Sequence, residues 1–432
     1  MLFFYNTFIN LYNAALQLAA GRNTKAAAWV KGRQDQFAQI ERELAANQSP
    51  VVWVHSASTG EFEQAKPVIE ALRKAYPHYK VLVTFFSPSG YEATAKYAHV
   101  HYRYYLPLDT ALNAERFIKL VNPRLVIFSK YDFWHHHIKA VADKGIPLLL
   151  ISAIFRRGQL FFRGYGGFYR NILRRFTHIF VQDENSVQLL RNIGINQCSV
   201  GSDTRFDRVM AVVTERDQLL QKAAVFSRFI NDRFCLVAGS TWPADEALLQ
   251  EAAIRFPDHC FLIVPHELDA AHLQNLSTRF EGAVFYSDWV NRADTTGTIP
   301  PGNVMIVNTM GMLAALYSLA TVTYVGGGFS KSGIHNTLEA AVWGKPVIIG
   351  PNYQKFREAK GLIEAGGAFS VSQSDQLQQL VQHFNNNKAA LEAASAGAKN
   401  YVVQNAGATG KIMDFIRQLE KQQNSSFRQF NS

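Results

Sequence analysis

The sequence has little cysteine and few charged side chains, and these shortages narrow the class of protein. Only three cysteines, Cys198, Cys235 and Cys260, occur among the 432 residues, and no two form a CxxC pair. This wide spacing excludes a disulfide framework and a zinc knuckle, and it is typical of a reducing compartment. Charged residues make up 18% of the chain and hydrophobic residues 48%, a balance typical of a globular protein with a large core.

Common nucleotide-binding motifs are also missing. No GxxxxGK[ST] sequence occurs, so the chain has no Walker-type phosphate loop. The first half lacks GxGxxG, which argues against a nicotinamide-dependent dehydrogenase. The net charge of +10 favours an anionic partner, but there is no recognisable nucleic-acid module. We therefore expect no nucleic acid as a partner, and a phosphorylated substrate or an anionic membrane face instead.

A metal site is not expected either. The segment LVIFSKYDFWHHHI (125–138) places Lys130, Asp132 and three histidines just after an apolar run. Asp132 and His136 have helical spacing, but a third ligand is not evident, and adjacent histidines on a helix point in different directions. We predict no metal and no other cofactor, and interpret this segment as a polar patch near an acceptor substrate.

Residues 1–22 form an apolar segment with a polar stripe. Asn6, Asn10, Asn13 and Gln17 recur at helical spacing, and Leu and Phe cover most of the remaining surface. The segment lacks the basic start of a signal peptide. Because a helix of this length barely reaches across a membrane, we predict a membrane-anchoring helix that lies in the interface or is tilted. A buried N-terminal core helix is the alternative.

From residue 51 onward, short apolar runs alternate with helix-like segments such as 63–75 and 113–121. This pattern predicts parallel sheets covered by helices on both faces. The runs interpreted as strands are 51–56, 80–86, 124–129, 147–152, 178–182, 234–240, 260–265, 283–287, 304–308, 321–327 and 345–350.

A polar, helical stretch at residues 206–232 interrupts the strand pattern. We therefore predict two doubly wound, Rossmann-like α/β domains over residues 23–205 and 206–432, with the last helix a candidate to return to the first domain. Ligands of such sheets bind beyond the carboxyl ends of the strands, so we expect a cleft there.

The first strand runs into Ser58, Thr59, Gly60 and Glu61, where a helix begins. Small residues leave room for a ligand, and the helix start offers free backbone N–H groups. A carboxylate at this place can accept a proton from a hydroxyl nucleophile. The local sequence alone slightly favours another interpretation, in which Glu61 only complements the helix dipole.

In the second domain, Ser240 and Thr241 form a similar strand-to-helix turn that suits a phosphate. The later run YVGGGFSKSGIHNTLEAAVWGKPVIIGPN (324–352) combines three glycines at a strand end with a helix that begins near Asn336. Glu339 lies one turn into that helix, where it can bridge ribose hydroxyls. This combination favours a nucleotide-linked substrate.

The segment 154–176 is strongly basic and contains no acidic residue. Its arginines suit the capture of phosphates, and the aromatic side chains between them suit an acyl chain or a headgroup. An ordinary basic surface, with the aromatic side chains turned to the core, explains the segment equally well. The arginines are Arg156, Arg157, Arg163, Arg170, Arg174 and Arg175.

Taken together, these motifs resemble the 3-deoxy-D-manno-octulosonic acid (Kdo) transferases of lipopolysaccharide synthesis, in the form found in Bacteroidetes-type bacteria. The resemblance extends from the N-terminal helix to about residue 415. Its motifs are HSASTGEFEQAKPVIEALR, TFFSPSGYE, YLPLDT, KYDFWHHH, ISAIFR, GSDTRFDRV, GSTWPADE, GGGFSKSGIHNTLEAA and GPNYQKF.

The resemblance implies a GT-B fold and inverting transfer of Kdo from CMP-Kdo to a lipid A precursor, a phosphorylated and acylated disaccharide lipid. Glu61 matches the general base of the family. Asp132 and Arg205 stand where many members have a glutamate and a lysine that steady the transition state, and Lys130 stands where many carry an acid. The residues that match CMP-contacting positions are Pro265, His266, Met310, Gly311, Met312, Asn336, Thr337, Leu338 and Glu339.

For acceptor binding, in the first domain, we predict Ser58, Thr59, Gly60, Lys130, Arg156 and Arg157. We expect the protein at the cytoplasmic face of the inner membrane. One alternative is another GT-B sugar-nucleotide enzyme, such as a UDP-sugar transferase or an epimerase. A different alternative is a membrane-associated protein that binds a nucleotide or a phospholipid without turnover.

Overall fold

The structure is a computed structural model that describes residues 1–95, 97–214, 216–292 and 302–430. It divides into two compact units. Unit 1 comprises residues 1–208 and 406–432, and unit 2 comprises residues 209–405.

Unit 1 contains a seven-stranded parallel sheet in the order β3-β2-β1-β4-β5-β6-β7. The strand order reverses between β1 and β4, as in doubly wound folds. The strands are β1 (Val51–Ser56), β2 (Lys80–Phe85), β3 (Tyr102–Tyr105), β4 (Leu125–Ser129), β5 (Leu148–Ala153), β6 (His178–Val181) and β7 (Cys198–Val200). The sequence did not predict β3 and β7, which are short and only partly buried edge strands.

Helices cover the sheet of unit 1 and form its N-terminal region. Their bounds are α1 (Leu2–Ala19), α2 (Thr24–Lys31), α3 (Gln36–Leu44), α4 (Thr59–Ala75), α5 (Pro88–Ala93), α6 (Ala111–Val121), α7 (His135–Asp143), α8 (Gly167–Leu173) and α9 (Glu184–Arg191), with a 3-10 turn at Leu160–Phe162. Two helices then follow where the strand pattern lapses, α10 (Thr204–Thr214) and α11 (Arg216–Ile230).

Unit 2 contains a second seven-stranded parallel sheet in the order β10-β11-β9-β8-β12-β13-β14, with the order reversing between β8 and β12. Its strands are β8 (Cys235–Thr241), β9 (Cys260–Pro265), β10 (Val284–Phe285), β11 (Val304–Ile306), β12 (Val322–Val325), β13 (Val347–Ile349) and β14 (Ala368–Ser370). The sequence missed β14, whose three residues become exposed toward its end.

The remaining helices are α12 (Pro243–Arg255), α13 (Ala270–Arg279), α14 (Tyr286–Arg292), α15 (Leu313–Leu319), α16 (Leu338–Ala341), α17 (Arg357–Glu364), α18 (Ser374–Asn386), α19 (Lys388–Asn405) and α20 (Ala408–Phe430). The last of these, α20, belongs to unit 1. Its Ile412, Met413 and Ile416 are buried in the core beside β1 and β2. Arg124 also donates to Glu420 of this helix at 2.7 Å.

The N-terminal helix α1 lies against unit 1 with Tyr5, Ile9 and Tyr12 on its inner face. Asn6, part of the predicted polar stripe, also faces inward and contacts His136 at 2.7 Å. The opposite face exposes large apolar side chains, namely Leu2, Phe3, Phe4, Phe8, Leu11 and Leu18. None of the helices within the described ranges is both long enough and apolar enough to cross a membrane.

Candidate functional site

The carboxyl ends of β1 and β4 lie side by side, because the strand order of unit 1 reverses between them. β1 leads through Ser58 into α4, which begins at Thr59. The hydroxyl of Ser58 makes no capping bond to the helix and donates to Glu61 Oε2 instead. Ser129, the last residue of β4, donates through its hydroxyl to the carbonyl of Glu61 at 2.9 Å. The two strand ends thus fix both the backbone and the carboxylate of Glu61.

Lys130 supplies a cation beside this carboxylate. It follows β4 with a positive φ of 72°, and its backbone N–H donates to the carbonyl of Ile151 at 3.0 Å. Its ammonium lies 4.0 Å from Glu61 Oε1, and both side chains remain partly exposed. An oxyanion or a hydroxyl held near Glu61 therefore also lies near a positive charge.

Asp132 is held by a chain of hydrogen bonds that begins inside the sheet. His55 is fully buried on β1, and its Nε2–H donates to Asp132 Oδ2 at 2.8 Å. Its Nδ1 lies 2.9 Å from the hydroxyl of Thr84, which in turn accepts a bond from Trp53 Nε1 at 2.8 Å. Because the carboxylate only accepts hydrogen bonds, Nε2 must carry a proton. Nδ1 of a neutral His55 then accepts a hydrogen bond from the hydroxyl of Thr84. The chain fixes the direction of a partly exposed carboxylate.

Arg205 is oriented by a buried aspartate. Its Nη2 and Nε donate to Asp203 Oδ2 at 2.8 and 3.0 Å. Gln64 and Gln182 donate to the two oxygens of the same carboxylate at 3.0 and 3.2 Å. Burial alone would raise the pKa of Asp203, but the charge and the bonds of Arg205 hold that pKa below its ordinary value. The guanidinium of Arg205 therefore has a fixed anionic partner and a partly exposed outer side.

Tyr131 stands among these groups, although sequence reasoning missed it. Its ring is partly exposed, and burial raises the pKa of its hydroxyl. The charges that act on this hydroxyl come from Arg156, Asp203, Glu61 and Arg205. Glu61, Arg205 and Arg156 therefore lie close enough to Tyr131 for their charges to act on its hydroxyl. The sequence offered one signal for Tyr131, namely its position between Lys130 and Asp132, two residues predicted to belong to the site.

The arginines of the basic segment 154–176 fall into two groups, one bonded within the protein and one exposed. Arg170 donates to the carbonyls of Phe161 and Arg163, and Arg175 pairs with Asp143 at 3.3 Å. Arg156, Arg157 and Arg163 are exposed, and within the described residues none of the three has an ion pair. The first group is structural, and the second remains available to an anion.

The three histidines of KYDFWHHH do not form a polar patch open to an acceptor. All three are buried, and His137 Nδ1 donates to buried Asp109 at 2.5 Å. Asp109 also accepts from Tyr5 of α1 and from the backbone N–H of His136. The cluster therefore holds α1 against α7. In the described part of the chain, no three His, Cys, Asp or Glu side chains are grouped as metal ligands.

In unit 2, the carboxyl ends of β8 and β12 lie side by side at the reversal of strand order. Ser240 has a positive φ of 54°, and Gly326 N donates to the carbonyl of Gly239 at 2.9 Å. A Cβ at Gly326 would lie 2.3 Å from the carbonyl oxygen of Ser240. The two turns approach each other so closely that only glycine fits at this position.

The carboxylates of this turn face inward. Asp245 accepts from the backbone N–H groups of Trp242 and Gly327 and from the hydroxyl of Tyr324, at 3.0, 2.9 and 2.8 Å. Burial raises the pKa of Asp245, because these neutral donors compensate for it only in part. Thr241 is buried and donates to Glu246 at 3.0 Å. The side chain of Thr241 therefore supports the turn, which leaves Ser240 and the backbone to meet a ligand.

Three rings group beside this turn. Trp242 stacks on His266 with centroids 4.9 Å apart, and His266 stacks on His335 at 4.3 Å. Trp242 Nε1 donates to Nε2 of His335 at 3.0 Å. Burial, and then the neighbouring His266, lower the pKa of His335 and favour its neutral form. Of these rings, the sequence pointed only to His266.

The other predicted donor-site residues follow strand ends of the same unit. Pro265 ends β9, and Met310, Gly311 and Met312 precede α15, with Met310 largely exposed. Asn336 donates to Glu339 at 3.0 Å, so the two side chains hold each other at the start of α16. Thr337 and Leu338 are buried, so their side chains face the core of the unit.

Comparisons with known proteins agree with the predicted resemblance. A family model described as 3-deoxy-D-manno-octulosonic-acid transferase (kdotransferase) matches residues 31–208. The chain is 25% identical over 379 residues to the 3-deoxy-D-manno-octulosonic acid transferase of Haemophilus influenzae, covering 85% of this chain and 86% of that one. It is 26% identical over 418 residues to the transferase of the same name from Rickettsia felis, covering 91% of this chain and 84% of that one.

Two solved structures show the fold. A UDP-GlcNAc 2-epimerase from Neisseria meningitidis superposes with a TM-score of 0.58 at 17% identity, over 85% of this chain and all of that one. Acinetobacter baumannii MurG superposes with a TM-score of 0.54 at 15% identity, over 86% of this chain and 99% of that one. The predicted GT-B fold is thereby confirmed.

Proposed function

We propose that this chain, a glycosyltransferase related to the 3-deoxy-D-manno-octulosonic acid transferases, moves Kdo from CMP-Kdo to a lipid A precursor in lipopolysaccharide biosynthesis. Transfer of Kdo rests on the family match and on relatives that share most of the chain's length. The nature of the acceptor and the roles of individual residues belong to the proposal. The observation that carries it is the placement of Glu61, held by Ser58 and lying 4.0 Å from Lys130.

Glu61 acts as the general base. It takes the proton of an acceptor hydroxyl while the hydroxyl oxygen attacks the anomeric carbon of Kdo. The bond from that carbon to the phosphate oxygen breaks, CMP leaves with the electron pair, and the anomeric configuration inverts. Asp132 and Arg205 lie in the same unit and steady charge as it develops, because hydrogen bonds to buried partners hold each in a fixed orientation.

Unit 2 binds the donor. Ser240, the glycine turn at Gly326 and the rings of Trp242 and His266 provide backbone groups, space and a stacking surface. Asn336 and Glu339 provide polar atoms for ribose hydroxyls. CMP carries one phosphate, which a compact turn of this kind can hold.

The acceptor and the membrane meet unit 1. The apolar outer face of α1 and the exposed Leu160 and Tyr165 suit lipid chains, and exposed Arg156 and Arg157 suit phosphates. Helices α1 and α8 are neighbours, because the ring centroids of Tyr5 and Phe168 lie 5.6 Å apart. Location at the cytoplasmic face of the inner membrane is part of the proposal, and the apolar outer face of α1 supports contact with a membrane.

The proposal is tested with purified full-length protein, CMP-Kdo and a tetra-acylated lipid A precursor. Mass spectrometry of the lipid is expected to show the mass increase of Kdo, and competition is expected to show stronger inhibition by CMP than by UDP. Binding of CMP without any lipid product would refute the transferase function. Stronger inhibition by UDP would instead point to another sugar-nucleotide enzyme of this fold.

A further inference from the structure

A cavity of about 400 Å³ lies in unit 1, and none of the residues proposed for the reaction lines it. It is lined by residues of α1, α2, α3 and the start of α6. Asn13 and Gln17 border it from α1, Trp29 and Arg33 from α2 and the following turn, Gln36 from α3, and Asn113 from α6. Amides, one indole and one guanidinium thus line it, together with the apolar residues Val30, Phe37, Pro107 and Leu108.

Arg33 is held in this cavity by carbonyls and aromatic faces. Its Nε, Nη1 and Nη2 donate to the carbonyls of Leu106, Trp29 and Phe86 at 2.9, 3.1 and 3.1 Å. Its guanidinium carbon lies 3.8 Å from the ring centroid of Trp29 and 4.9 Å from that of Tyr105. Three of the five donors of the guanidinium are used, so two N–H groups remain.

The positive charge of Arg33 has no carboxylate partner among the described residues, unlike that of Arg205. Burial lowers the pKa of Arg33 to about 9, and only the Tyr105 and Tyr12 hydroxyls act against this. A buried cation that lacks a counter-charge is costly, and a bound anion would reduce the cost. The sequence before Asp35, the first acidic residue, carries Arg22, Lys25, Lys31 and Arg33, and exposed Asp35 makes no ion pair with Arg33 among the described residues.

Two residues of the cavity lining also carry unsatisfied polar atoms. The indole N–H of Trp29 and the Oε1 of Gln36 are buried and have no hydrogen-bond partner among the described residues. Both side chains are more than nine-tenths buried, with exposed fractions of 5% and 4%. Buried polar atoms normally find partners, so the pair calls for a ligand that accepts one hydrogen bond and donates another. A phosphate oxygen accepts, and a ligand hydroxyl donates.

We propose that the cavity around Arg33 binds a phosphate group that carries or adjoins a hydroxyl, as in hydrogen phosphate or a phosphatidylglycerol headgroup. The planar guanidinium presents its two remaining N–H groups to the phosphate oxygens, Trp29 donates a further bond, and Gln36 accepts one from the hydroxyl. The apolar outer face of α1, on which Leu11 and Leu18 are exposed, would accompany the acyl chains of a lipid. The cavity lining shares no residue with those proposed for the transfer reaction.

The test compares two carboxylates placed on the same helix. Gln17→Glu puts a negative charge at the cavity and leaves all hydrogen bonds of Arg33 in place, whereas Asn10→Asp puts the same charge on α1 outside the cavity lining. Binding of inorganic phosphate and of soluble dihexanoylphosphatidylglycerol to the full-length protein is measured by calorimetry. We expect Gln17→Glu to weaken binding roughly tenfold or more relative to Asn10→Asp, because like charges a few ångströms apart repel strongly.

The two probes distinguish the sources of the phosphate. Tight binding of the lipid with weak binding of inorganic phosphate identifies a headgroup site, and similar binding of both identifies a site for free phosphate. Either result supports the inference if Gln17→Glu and Asn10→Asp differ. Equal affinities in these two variants, or no binding of either probe to the unaltered protein, would overturn it and leave Arg33 as a structural contact between α1, α2 and the sheet.

Discussion

Units 1 and 2 contain the same kind of sheet but use their strand ends differently. At the reversal of strand order in unit 1, charged groups face outward, with Glu61 beside Lys130 and with Asp132 held by His55. At the reversal in unit 2, the carboxylate of Asp245 faces inward onto backbone N–H groups, and the outer surface consists of a glycine turn and stacked rings. We therefore propose that one fold serves proton transfer in one half and recognition in the other, because function depends on the residues placed at the strand ends.

The buried aspartates repeat this difference. In unit 1, Asp203 lies against the cation of Arg205, which keeps the pKa of that carboxyl below its ordinary value despite burial. In unit 2, Asp245 is met by neutral donors, and burial raises its pKa. A buried carboxylate in unit 1 thus orients a charged group, and one in unit 2 shapes a loop.

The largest expected effect on activity comes from replacing the carboxylate of Glu61 in unit 1. Glu61→Gln keeps the size of the side chain but removes the base, so we expect kcat to fall by roughly 10²- to 10⁴-fold while CMP binding is retained. Steady-state kinetics and calorimetry measure the two quantities. Glu63→Gln, in the same helix turn but paired with Lys66, is the matched control. Near-normal turnover in a Glu61→Gln protein that binds CMP would refute the assignment.

A smaller loss is expected from the residue that positions Asp132. His55→Gln breaks the hydrogen-bond chain from Thr84, so we expect kcat to fall roughly ten- to hundredfold with little change in the KM for the donor. Thr84→Ser, which keeps the hydroxyl, is expected to retain activity. If His55→Gln is poorly folded, Asp132→Asn tests the same carboxylate at the surface. Wild-type kcat in either variant would contradict the positioning role.

In unit 2, substitution is expected to change affinity instead of turnover. Trp242→Leu removes one ring of the stack with His266, so we expect the Kd for CMP to rise roughly tenfold while kcat at saturating donor stays close to normal. Calorimetry with CMP measures the first effect and kinetics the second. Trp343→Leu, a partly buried tryptophan of the same unit, serves as the control. A large fall in kcat would contradict the proposal that unit 2 binds the donor while unit 1 carries the catalytic groups.

The smallest expected effect is the pH dependence of the free energy of unfolding. Burial alone would raise the pKa of Asp109, but bonds from His137 and Tyr5 hold it at about 2, against an ordinary value of 3.8. A carboxyl whose pKa is lower in the folded protein than in the unfolded chain stabilises the fold above its ordinary pKa, and this stabilisation is lost as the pH falls. From about pH 6 to about pH 3, Asp109 should therefore lose about 1 kcal/mol of its contribution to the free energy of unfolding.

Asp245 has a raised pKa, so its contribution to the free energy of unfolding should increase on acidification, opposite to that of Asp109. The stability difference between wild type and Asp109→Asn is expected to shrink as pH falls, and that between wild type and Asp245→Asn to grow. Hydrogen exchange resolved by unit, corrected for intrinsic exchange rates, measures both differences. Parallel trends in the two variants would show that the buried aspartates of the two units are not held differently.

The sequence predicted the strands that are buried on both faces and the edge strand β10, but it missed the other edge strands β3, β7 and β14. The run 51–56 coincides with β1, since a continuous apolar run with β-branched residues is typical of a central parallel strand. β3 and β14 lack this pattern because one side of an edge strand faces solvent or a loop. Within the candidate site, residues next to strand ends were found from the sequence, but Trp242, His335 and Tyr131 were not distinguished from core aromatic residues.

The sequence by itself determined the fold class and the place of the carboxylate at Glu61, because apolar periodicity and the turn after a strand are local properties of the chain. Its motifs also determined the resemblance to Kdo transferases. Only the tertiary structure decided which polar residues face outward. It joined His55 to Asp132, which are 77 positions apart, and buried the three histidines against α1. It also left Arg33 beside a cavity with no carboxylate partner in the part of the chain that the structure describes. These arrangements depend on contacts between segments distant in the chain, which neither spacing nor composition records.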